Sequence, residues 1–551
     1  MSTADHIFIN GAVLTMDHGL PDAEAVAVKD GFILAVGTNK AIQAHKGPKT
    51  KVTDLAGRTL MPGFVESHLH IFSGAEEQTL PQLPEVRGFE ALRKISQAYG
   101  AAHPDEPLIC AQGASYEILG NGERLTRHHL DKIFPDRPFV VTSSCHHTAW
   151  ANTVALEKAG LLYGKEMSPG NEIVMGADGK ANGELREMEA MQHVYSIGSP
   201  TRNFLGLDGK EPGAELTQED RVKDKATLRL GLEYCASFGI TSLHNMDGNL
   251  YQLELFEEIE KEDGGLKCRV QIPFHYKNFM SPGDLEKASA MSRRFKSETL
   301  KCGRVKAFYD GVLESYTAVM QKPYTDLPDR NGVPLFSEEA FEEMIVECDK
   351  RGLQISVHAI GDGAVNAVLN AYETARKKNG IRDSRHRIEH LEVILPADIP
   401  RFKELGVIAS IQPLHAGFPG SDDGPTAPMI GKERLKYAYA QRSMLEAGAV
   451  VIFSSDWPVV TLNPMITLLA ATKRKKWTPD MPDQRFTLRE TLKAYTNYGA
   501  YTEFMENAKG MIRPGFFADL CVLSENIETS DDYARIKVDL TMLGGKITHL
   551  S

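Results

Sequence analysis

The sequence predicts an α/β protein in which a (β/α)8 barrel is joined to a composite β-sandwich domain built from both chain termini. Eight apolar, strand-like runs recur through the middle of the 551-residue chain, and helical patterns separate several of them. Eight parallel strands are the number that closes such a barrel. The two ends of the chain instead show short alternating strands and tight turns. A doubly wound open sheet is the alternative arrangement for the middle.

The two ends of the chain share one texture. "HIFINGAVLTMD" and "AEAVAVKDGFILAVG" alternate apolar and polar residues around Asn-Gly and Asp-Gly pairs, which are typical of hairpins. "FADLCVLSE" and "IKVDLTMLGGKITHL" repeat the pattern near the other end. We therefore predict one sandwich formed by residues 1–61 and 508–551.

The eight barrel runs are "TLMPGFVESHLH", "GITSLHNM", "CRVQIPFHY", "GRVKAFYDG", "LQISVHAIG", "RHRIEHLEV", "GVIASIQPL" and "AVVIFSSDWP". Near-continuous apolar strands that alternate with helices indicate a parallel sheet covered on both faces. The first strand belongs to residues 62–74 and the rest of the barrel to 228–507. Residues 75–227 break the alternation with glycine-rich turns, so we predict an inserted α/β subdomain there.

Composition excludes several classes of protein. A formal net charge of -12 argues against a nucleic-acid or anionic-membrane surface, which would need a basic face. No apolar run is long enough to span a bilayer, and the start lacks the features of a signal peptide. Seven cysteines without a CxxC pair suggest reduced thiols in a cytoplasmic protein. We expect a small-molecule substrate, with a homodimer expected only from the prevalence of two-fold oligomers.

Polar residues at the carboxyl ends of the barrel strands are the candidates for chemistry, because active sites of parallel barrels lie there. In "FVESHLH", Glu66, His68 and His70 alternate and therefore face one way in an extended strand. An isolated His-x-His pair is more often solvated than bound to metal. Equivalent ends of four further strands add Lys306, Asp310, His358, Arg387, His390 and Asp456. Imidazole and carboxylate are the ligands of catalytic zinc, so the combination predicts a metal site.

These motifs resemble the amidohydrolase superfamily, and more narrowly its family 3 of YtcJ-like metal-dependent hydrolases. "MPGFVESHLH" resembles the Pro-Gly-Phe opening to His-x-His, and "VKAFYDGVLES" resembles the lysine strand. "VHAIGDGAV", "RIEHL", "IQPLHA" and "SSDWPV" are similar to the next four strand ends. "HHTAWANTVAL" resembles the His-x-x-Trp-x-Asn signature of this branch at His147, Trp150 and Asn152. Glu66 stands where the superfamily commonly has aspartate, so we expect it to support the ligands from behind.

The predicted metal ligands are His68, His70, Lys306, His358, His390 and Asp456, with one or two divalent ions per chain and zinc as the first choice. His68 and His70 would hold the more buried ion, while His358 and His390 would hold a second ion or position substrate. Asp456, His358 and His390 form the predicted catalytic group, in which Asp456 takes a proton from the attacking water. The resemblance implies that Lys306 reacts with CO2 to form a bridging carbamate. The alternative is an unmodified lysine paired with Asp310 or another acid.

A second set of residues is predicted to bind substrate near the mouth of the barrel. For each of them a structural role in capping, packing or turns is the alternative. The set comprises His147, Trp150, Asn152, Asp310, Arg387, Gln412 and His415.

The predicted function is metal-dependent hydrolysis of a non-peptide C–N bond in a small amide-like substrate by metal-activated hydroxide. N-acyl compounds, N-formyl compounds and cyclic amides are the expected substrates. Hydrolytic deamination of a heterocycle is the nearest alternative, and the state of Lys306 partly separates the two because deaminases often use one metal without the carbamate. Lactone or ester hydrolysis and a non-catalytic scaffold remain as more distant alternatives, since a fold does not fix a substrate.

Overall fold

The computed structural model describes residues 2–120, 122–198, 206, 209–212, 216–417 and 427–551. Its strands are β1 (His6–Ile9), β2 (Ala12–Leu14), β3 (Asp22–Ala23), β4 (Ala25–Lys29), β5 (Phe32–Gly37), β6 (Lys51–Asp54), β7 (Thr59–Pro62), β8 (Phe64–Leu69), β9 (Ile109–Ala114), β10 (Phe139–Ser143), β11 (Thr148–Ala151), β12 (Glu172–Met175), β13 (Ala181–Arg186), β14 (Ile240–Asn245), β15 (Arg269–Gln271), β16 (Phe274–His275), β17 (Leu300–Lys301), β18 (Arg304–Phe308), β19 (Gln354–Ala359), β20 (Arg387–His390), β21 (Ile408–Ile411), β22 (Val450–Phe453), β23 (Leu520–Leu523), β24 (Val538–Leu543) and β25 (Lys546–Leu550).

Its α-helices are α1 (Asn39–Gln43), α2 (Ile71–Glu77), α3 (Phe89–Ala102), α4 (Arg127–Ile133), α5 (Thr153–Lys158), α6 (Glu187–Tyr195), α7 (Gln218–Ser237), α8 (Leu250–Asp263), α9 (Leu285–Arg294), α10 (Glu338–Lys350), α11 (Asp362–Asn379), α12 (Ile399–Leu405), α13 (Ala427–Leu435), α14 (Gln441–Glu446), α15 (Pro464–Lys473), α16 (Leu488–Ala494) and α17 (Asn497–Thr502). Short 3-10 helices cover Pro282–Asp284, Pro413–Ala416 and Tyr533–Arg535.

Strands from both ends of the chain pair within one sheet. This six-stranded sheet has the order β25-β24-β23-β7-β2-β3, and Leu520 of β23 lies antiparallel to Pro62 of β7. A second, four-stranded sheet has the order β5-β4-β1-β6. Apolar side chains from both ends, such as Phe8 and Met542, share one buried core. The alternating apolar pattern of these segments is therefore used to bury one face of each sheet.

The middle of the chain forms parallel strands. One sheet has the order β17-β15-β14-β8, and another has the order β16-β18-β19-β20-β21-β22. Every strand pairing within these two sheets is parallel. Leu69 at the end of β8 also forms a parallel bridge with Trp457, which follows β22. The ends of the first and last predicted barrel runs therefore meet.

Helices separate most of the parallel strands in sequence. Helix α10, between β18 and β19, shows why: its buried residues Phe341, Met344, Ile345 and Cys348 recur at helical spacing. It begins at Ser337, whose side chain accepts a hydrogen bond from the amide of Ala340, as capping serines do. Burial of this apolar stripe against the neighbouring strands fixes the helix on the sheet.

A separate five-stranded sheet with the order β12-β13-β11-β10-β9 lies within the segment predicted as an insertion. The predicted limits of this segment, residues 75 and 227, fall inside α2 and α7. Turn residues in the sequence were the basis for these limits. In the structure neither residue 75 nor residue 227 lies in a turn, because α2 and α7 continue through them. All seven cysteines are free. Within the described residues, no helix combines the length and the apolar character needed to cross a bilayer.

Candidate active site

Three side chains converge where β8 and β22 end. Oδ1 of Asp456 lies 3.2 Å from Nε2 of His68 and 3.2 Å from Nε2 of His70. Tetrahedral zinc, with bonds of about 2.0–2.2 Å, holds its ligand atoms roughly 3.4 Å apart, so this spacing suits one ion. Asp456 has a φ of 62°, a left-handed conformation that is costly for a non-glycine residue and that concentrates at functional sites.

Two buried carboxylates orient the histidines. Nδ1 of His68 lies 2.8 Å from Glu389, and Nδ1 of His70 lies 2.7 Å from Asp247. Because a carboxylate can only accept, each Nδ1 donates and each Nε2 is directed toward Asp456, as in carboxylate–histidine–metal arrangements. Burial alone would lower the pKa of His70, but the carboxylates of Asp247 and Asp456 raise it to about 10.

Asp247 and Glu389 were not among the predicted site residues. Asp247 follows β14 and Glu389 lies in "RIEHL", so both stand at ends of predicted barrel strands. The position was therefore a usable signal. What the sequence could not show is that these two acids, and not others nearby, face the Nδ1 atoms of the histidines.

A second group surrounds the other oxygen of Asp456. Oδ2 lies 3.8 Å from Nδ1 of His390 and 3.8 Å from Nε2 of His415. Nδ1 of His415 is 3.3 Å from Glu392, and Nδ1 of His390 donates to the side-chain oxygen of Gln412 at 2.9 Å. His415 is thus brought beside Asp456. Gln412 is fully buried behind His390 and orients that histidine, while its contact with substrate stays a prediction.

His358 packs against His390 of the second group, and Lys306 lies on β18, the strand that pairs with the strand of His358. The ring of His358 is centred 4.4 Å from that of His390, and its Nε2 donates to the carbonyl oxygen of Gly311 at 3.1 Å. Nζ of Lys306 is completely buried and has no hydrogen-bond partner within the described residues. It lies 4.5 Å from the centre of the Phe308 ring. Burial lowers the pKa of Lys306 to about 8, which favours the uncharged amine.

Glu66 contacts Asp456 indirectly, through the backbone of the preceding residue. Its Oε1 accepts a hydrogen bond of 2.7 Å from the amide of Ser455, the residue before Asp456. Burial raises the pKa of Glu66 to about 8. This contact ties β8 to the segment that carries Asp456 and agrees with a supporting position.

The three residues of the inserted signature separate in space. His147 lines the cavity, and its Nδ1 lies 2.7 Å from Glu187. Trp150 is completely buried and packs edge-on against Tyr116 inside the insertion. Asn152 is also buried, where it caps α5 through the amide of Ala155. Packing and capping use the side chains of Trp150 and Asn152 away from the cavity, as in the structural alternative, and their contact with substrate stays a prediction.

Asp310 and Arg387 are also used structurally. Asp310 accepts hydrogen bonds of 2.9–3.0 Å from the amides of Val319, Ile360 and Gly361, which organise the loop after β18. Arg387 is completely buried and pairs with Glu389 at 2.8 Å. Neither lines the cavity, which favours the structural alternative for both residues, and their contact with substrate stays a prediction.

A cavity of about 890 Å3 leads to the converging side chains. Among its lining residues are five of the predicted ligands: His68, His70, His358, His390 and Asp456. The insertion contributes further lining residues that the sequence did not single out, among them His146, which lies 3.4 Å from the carboxylate of Glu77. The volume suits a small molecule.

Comparison with known proteins gives this site a family. The profile of the amidohydrolase family matches residues 51–549. The chain belongs to the amidohydrolase family. It is 30% identical to Protein LONG AFTER FAR-RED 3 of Arabidopsis thaliana, over 98% of this chain and 91% of that protein. It is 27% identical to YtcJ of Bacillus subtilis, an amidohydrolase by name, over 98% and 99% of the two chains.

Two further comparisons bear on this amidohydrolase. It is 25% identical to N-substituted formamide deformylase of Arthrobacter pascens, over 95% of this chain and 94% of that enzyme. A crystal structure of an uncharacterized metal-dependent hydrolase from Pyrococcus horikoshii OT3 matches the fold with a TM-score of 0.73, at 24% identity, over 96% and 99% of the two chains. The resemblance to YtcJ-like amidohydrolases is confirmed, as are the mixed α/β class and the fold of a metal-dependent hydrolase.

The residues of the site fit a divalent metal on their own chemistry. Nε2 of His68 and Oδ1 of Asp456 are buried and have no hydrogen-bond partner within the described part of the chain. Buried polar atoms are almost always satisfied, so unsatisfied ones that converge from two strands require a bound group. Two imidazole nitrogens and one carboxylate oxygen are the donor set of a catalytic zinc site with an open position.

Proposed function

We propose that this amidohydrolase hydrolyses a non-peptide C–N bond in a small amide-like substrate, such as an N-acyl compound, an N-formyl compound or a cyclic amide. The observation that carries the proposal is the convergence of His68, His70 and Asp456, with distances of 3.2 Å, on a cavity large enough for a small molecule. The deformylase, whose name states cleavage of a formamide, matches 95% of this chain and supports an amide bond as the target.

His68, His70 and Asp456 would hold the metal, which we propose to be zinc. A divalent ion in such a site polarises a carbonyl group and lowers the pKa of water toward about 7. Glu389 and Asp247 keep the two histidines in the orientation that offers Nε2. The chain thus supplies a fixed donor set that needs little rearrangement when the ion enters.

Asp456 also has the position of a proton carrier. Its Oδ1 is directed to His68 and His70, while Oδ2 faces the space beside His390 and His415. In the proposed reaction Oδ2 accepts a proton as the oxygen of water bonds to the carbonyl carbon. The same oxygen returns the proton to the nitrogen as the C–N bond breaks, so that acid and amine leave.

Lys306 is proposed to be carboxylated, which would allow a second ion beside His358 and His390. The proposal is supported by an amine that is buried, unpaired within the described residues and shifted in pKa to about 8. An uncharged amine is the form that adds to CO2, and the resulting carbamate is anionic. We further propose that the parallel strands close into a (β/α)8 barrel. We also propose that the protein is cytoplasmic and forms a homodimer, and light scattering tests the homodimer.

Hydrolytic deamination of a heterocycle is the second candidate on the same site. A single ion and an unmodified Lys306 would favour it, since deaminases often lack the carbamate. Lactone and ester hydrolysis use the same attack and differ only in the leaving atom. A non-catalytic scaffold requires that no ion be retained.

The test combines metal content with a substrate panel. Protein purified without chelator is analysed for metal per chain, and its intact mass is measured before and after acid treatment. We expect one or two zinc ions, an acid-labile gain of one CO2, and hydrolysis of formamides or other amides ahead of adenine-type heterocycles and lactones. Retention of no metal after incubation with zinc or manganese would contradict an enzymatic role.

A further inference from the structure

One part of the cavity is bordered by α2 and by the insertion. It is lined by Glu76 and Glu77 of α2, by Tyr99, Glu106 and Gln112 of the insertion, and by Tyr195 of α6. We call this the acidic arm. None of its residues takes part in the proposed chemistry.

The arm begins close to the metal-facing residues. Helix α2 starts directly after His70 and ends at Glu77, seven residues further on. At a rise of about 1.5 Å per residue, Glu77 lies roughly 10 Å from His70 along the helix. A small substrate held at His70 could therefore extend into the arm.

Glu77 carries a buried carboxyl group, and the basic side chain beside it is a histidine. Glu77 is 6% exposed, and among the described residues its ion pair is with His146, at 3.4 Å. No lysine or arginine pairs with it within the described residues. Burial, followed by the charge of Glu76, raises the pKa of Glu77 well above its usual range, so a cation beside this carboxyl group would be needed to hold it ionised.

Gln112 gives an independent sign of a missing ligand. Its side chain is 7% exposed and lines the arm, yet its Oε1 has no hydrogen-bond partner among the described residues. A buried carbonyl oxygen of this kind needs a donor. The donor must come from a molecule in the cavity or from its solvent.

The remaining residues of the arm add negative charge and aromatic surface. Burial and the charges of Glu106 and Glu76 raise the pKa of Tyr99. Burial raises the pKa of Tyr195, and the charge of Glu77 makes a smaller contribution in the same direction. Carboxylates beside aromatic rings are the surroundings that favour an organic cation with several N–H donors.

We propose that the acidic arm binds a primary ammonium group of the substrate, with Glu77 as its ion-pair partner and the side-chain oxygen of Gln112 as a second acceptor. This rests on the proposed function and narrows its substrate class to amides that carry an amino group several bonds from the scissile carbonyl. Monoformylated or monoacylated linear diamines are the simplest members of that class. The span of roughly 10 Å suits chains of about three to six carbon atoms.

Matched formamides test the charge requirement. The metal-loaded enzyme is given N-formyl-1,5-diaminopentane, N-formylpentylamine and 6-formamidohexanoate, which are similar in length and carry a positive, no and a negative charge. We expect kcat/KM to be at least about tenfold higher for the cation than for the neutral compound, mainly through KM, because a charge-assisted hydrogen bond is lost. The anion should be the poorest substrate.

Two variants assign the effect to the arm. Glu77→Gln keeps size and removes charge, and it should reduce the preference for the cation toward unity. Gln112→Leu should reduce it by a smaller factor. The control is Glu433→Gln, whose side chain is 89% exposed on α13, and it should keep the full preference. Metal content and the thermal midpoint report whether each variant is folded.

Binding of 1,5-diaminopentane, measured by calorimetry on the same proteins, separates the two proposals. If no formamide is hydrolysed but the diamine binds wild type and the Glu433→Gln control more tightly than Glu77→Gln, the arm assignment stands and the proposed function fails. If the charged and neutral formamides are hydrolysed equally, or the diamine binds all variants alike, the arm assignment is overturned. The wild-type comparison decides the matter even where a variant does not fold.

Discussion

The two buried polar clusters of this amidohydrolase differ in whether the chain completes their hydrogen bonds. In the inner network of His244, Arg387, Glu503 and Lys509, both nitrogens of His244 are used: Nε2 donates to Glu503 and Nδ1 accepts from Arg387, each at 2.9 Å. His68 is equally buried, but only its Nδ1 is hydrogen-bonded. Its Nε2 makes no hydrogen bond in the described structure and faces Oδ1 of Asp456 at 3.2 Å. His244 therefore stabilises the fold, whereas Nε2 of His68 is available to bind a ligand.

Two buried lysines show the same difference. Lys509 donates to Glu503 at 2.8 Å, so its charge is neutralised within the protein. Lys306 has no such partner among the described residues, although it is completely buried. Burial lowers the pKa of Lys306 to about 8, so the uncharged amine, which is the form that can react, is accessible near neutral pH. Burial of a charged residue type therefore says little about function until its partners are known.

The largest effect is expected from Asp456→Asn, which removes the negative charge from the group formed by His68, His70 and Asp456. Activity should fall by about 10²–10⁴-fold, because the amide cannot carry the proton and is a weaker ligand. Metal per chain should fall as well, while the thermal midpoint of the metal-free protein should not fall. Elemental analysis, assay and calorimetric melting are the measurements. Full activity in this variant would remove Asp456 from the chemistry.

The matching change in the inner network is Glu503→Gln, and here the effect should be on folding. Loss of the carboxylate leaves Lys509 charged and buried, which costs about 3–5 kcal/mol when one partner of a buried pair is removed. We expect a lower thermal midpoint with unchanged metal per folded chain. Glu433→Gln at the surface should leave the midpoint unchanged. A stable Glu503→Gln variant that loses metal would reverse the roles assigned to the two clusters.

The carboxylates behind the histidines should have intermediate effects. In Asp247→Asn the hydrogen bond from Nδ1 of His70 is weakened, so the ring is held less firmly and is a poorer donor. Metal affinity should drop about 10–100-fold, as is common when such partners are changed. Competition with a chromogenic chelator measures it, with Asp531→Asn on the surface as the control. Equal affinity in both variants would argue that His70 does not bind metal.

Metal affinity should also depend on pH and should rise as the pH rises. In the metal-free protein Asp247 and Asp456 raise the pKa of His70 to about 10, so this histidine is protonated at neutral pH. A metal ion must displace that proton, and its apparent affinity should therefore rise roughly tenfold per pH unit from pH 6 to 9. Calorimetry in buffers of different ionisation enthalpy should record about one proton released at pH 7. Binding that is independent of pH over this range would contradict the assignment.

Much of the site could be predicted because position in a parallel strand carries chemical meaning. His68, His70 and Asp456 were found at strand ends, and the structure brings them together. The sequence could not distinguish residues that orient a neighbour from residues that face the cavity. Gln412 follows β21 and orients His390, whereas Arg387 begins β20 and pairs with Glu389. The sequence also missed Asp247, since the partner of a histidine depends on distances between strands and not on spacing along one. The two predicted limits of the insertion similarly fall inside helices α2 and α7.

The smallest effect tests the signature of the insertion. Trp150 and His147 belong to one sequence motif, but only His147 reaches the cavity. Nε1 of Trp150 already lacks a partner in the described structure, so Trp150→Phe removes an unsatisfied donor while it loses some packing. These terms oppose each other, and we expect a loss of about 1 kcal/mol in the free energy of unfolding. KM should change less than about twofold, whereas His147→Ala should raise it. A larger change in KM for Trp150→Phe than for His147→Ala would show that the motif acts through its packed end, and that the two regions are coupled more closely than their contacts indicate.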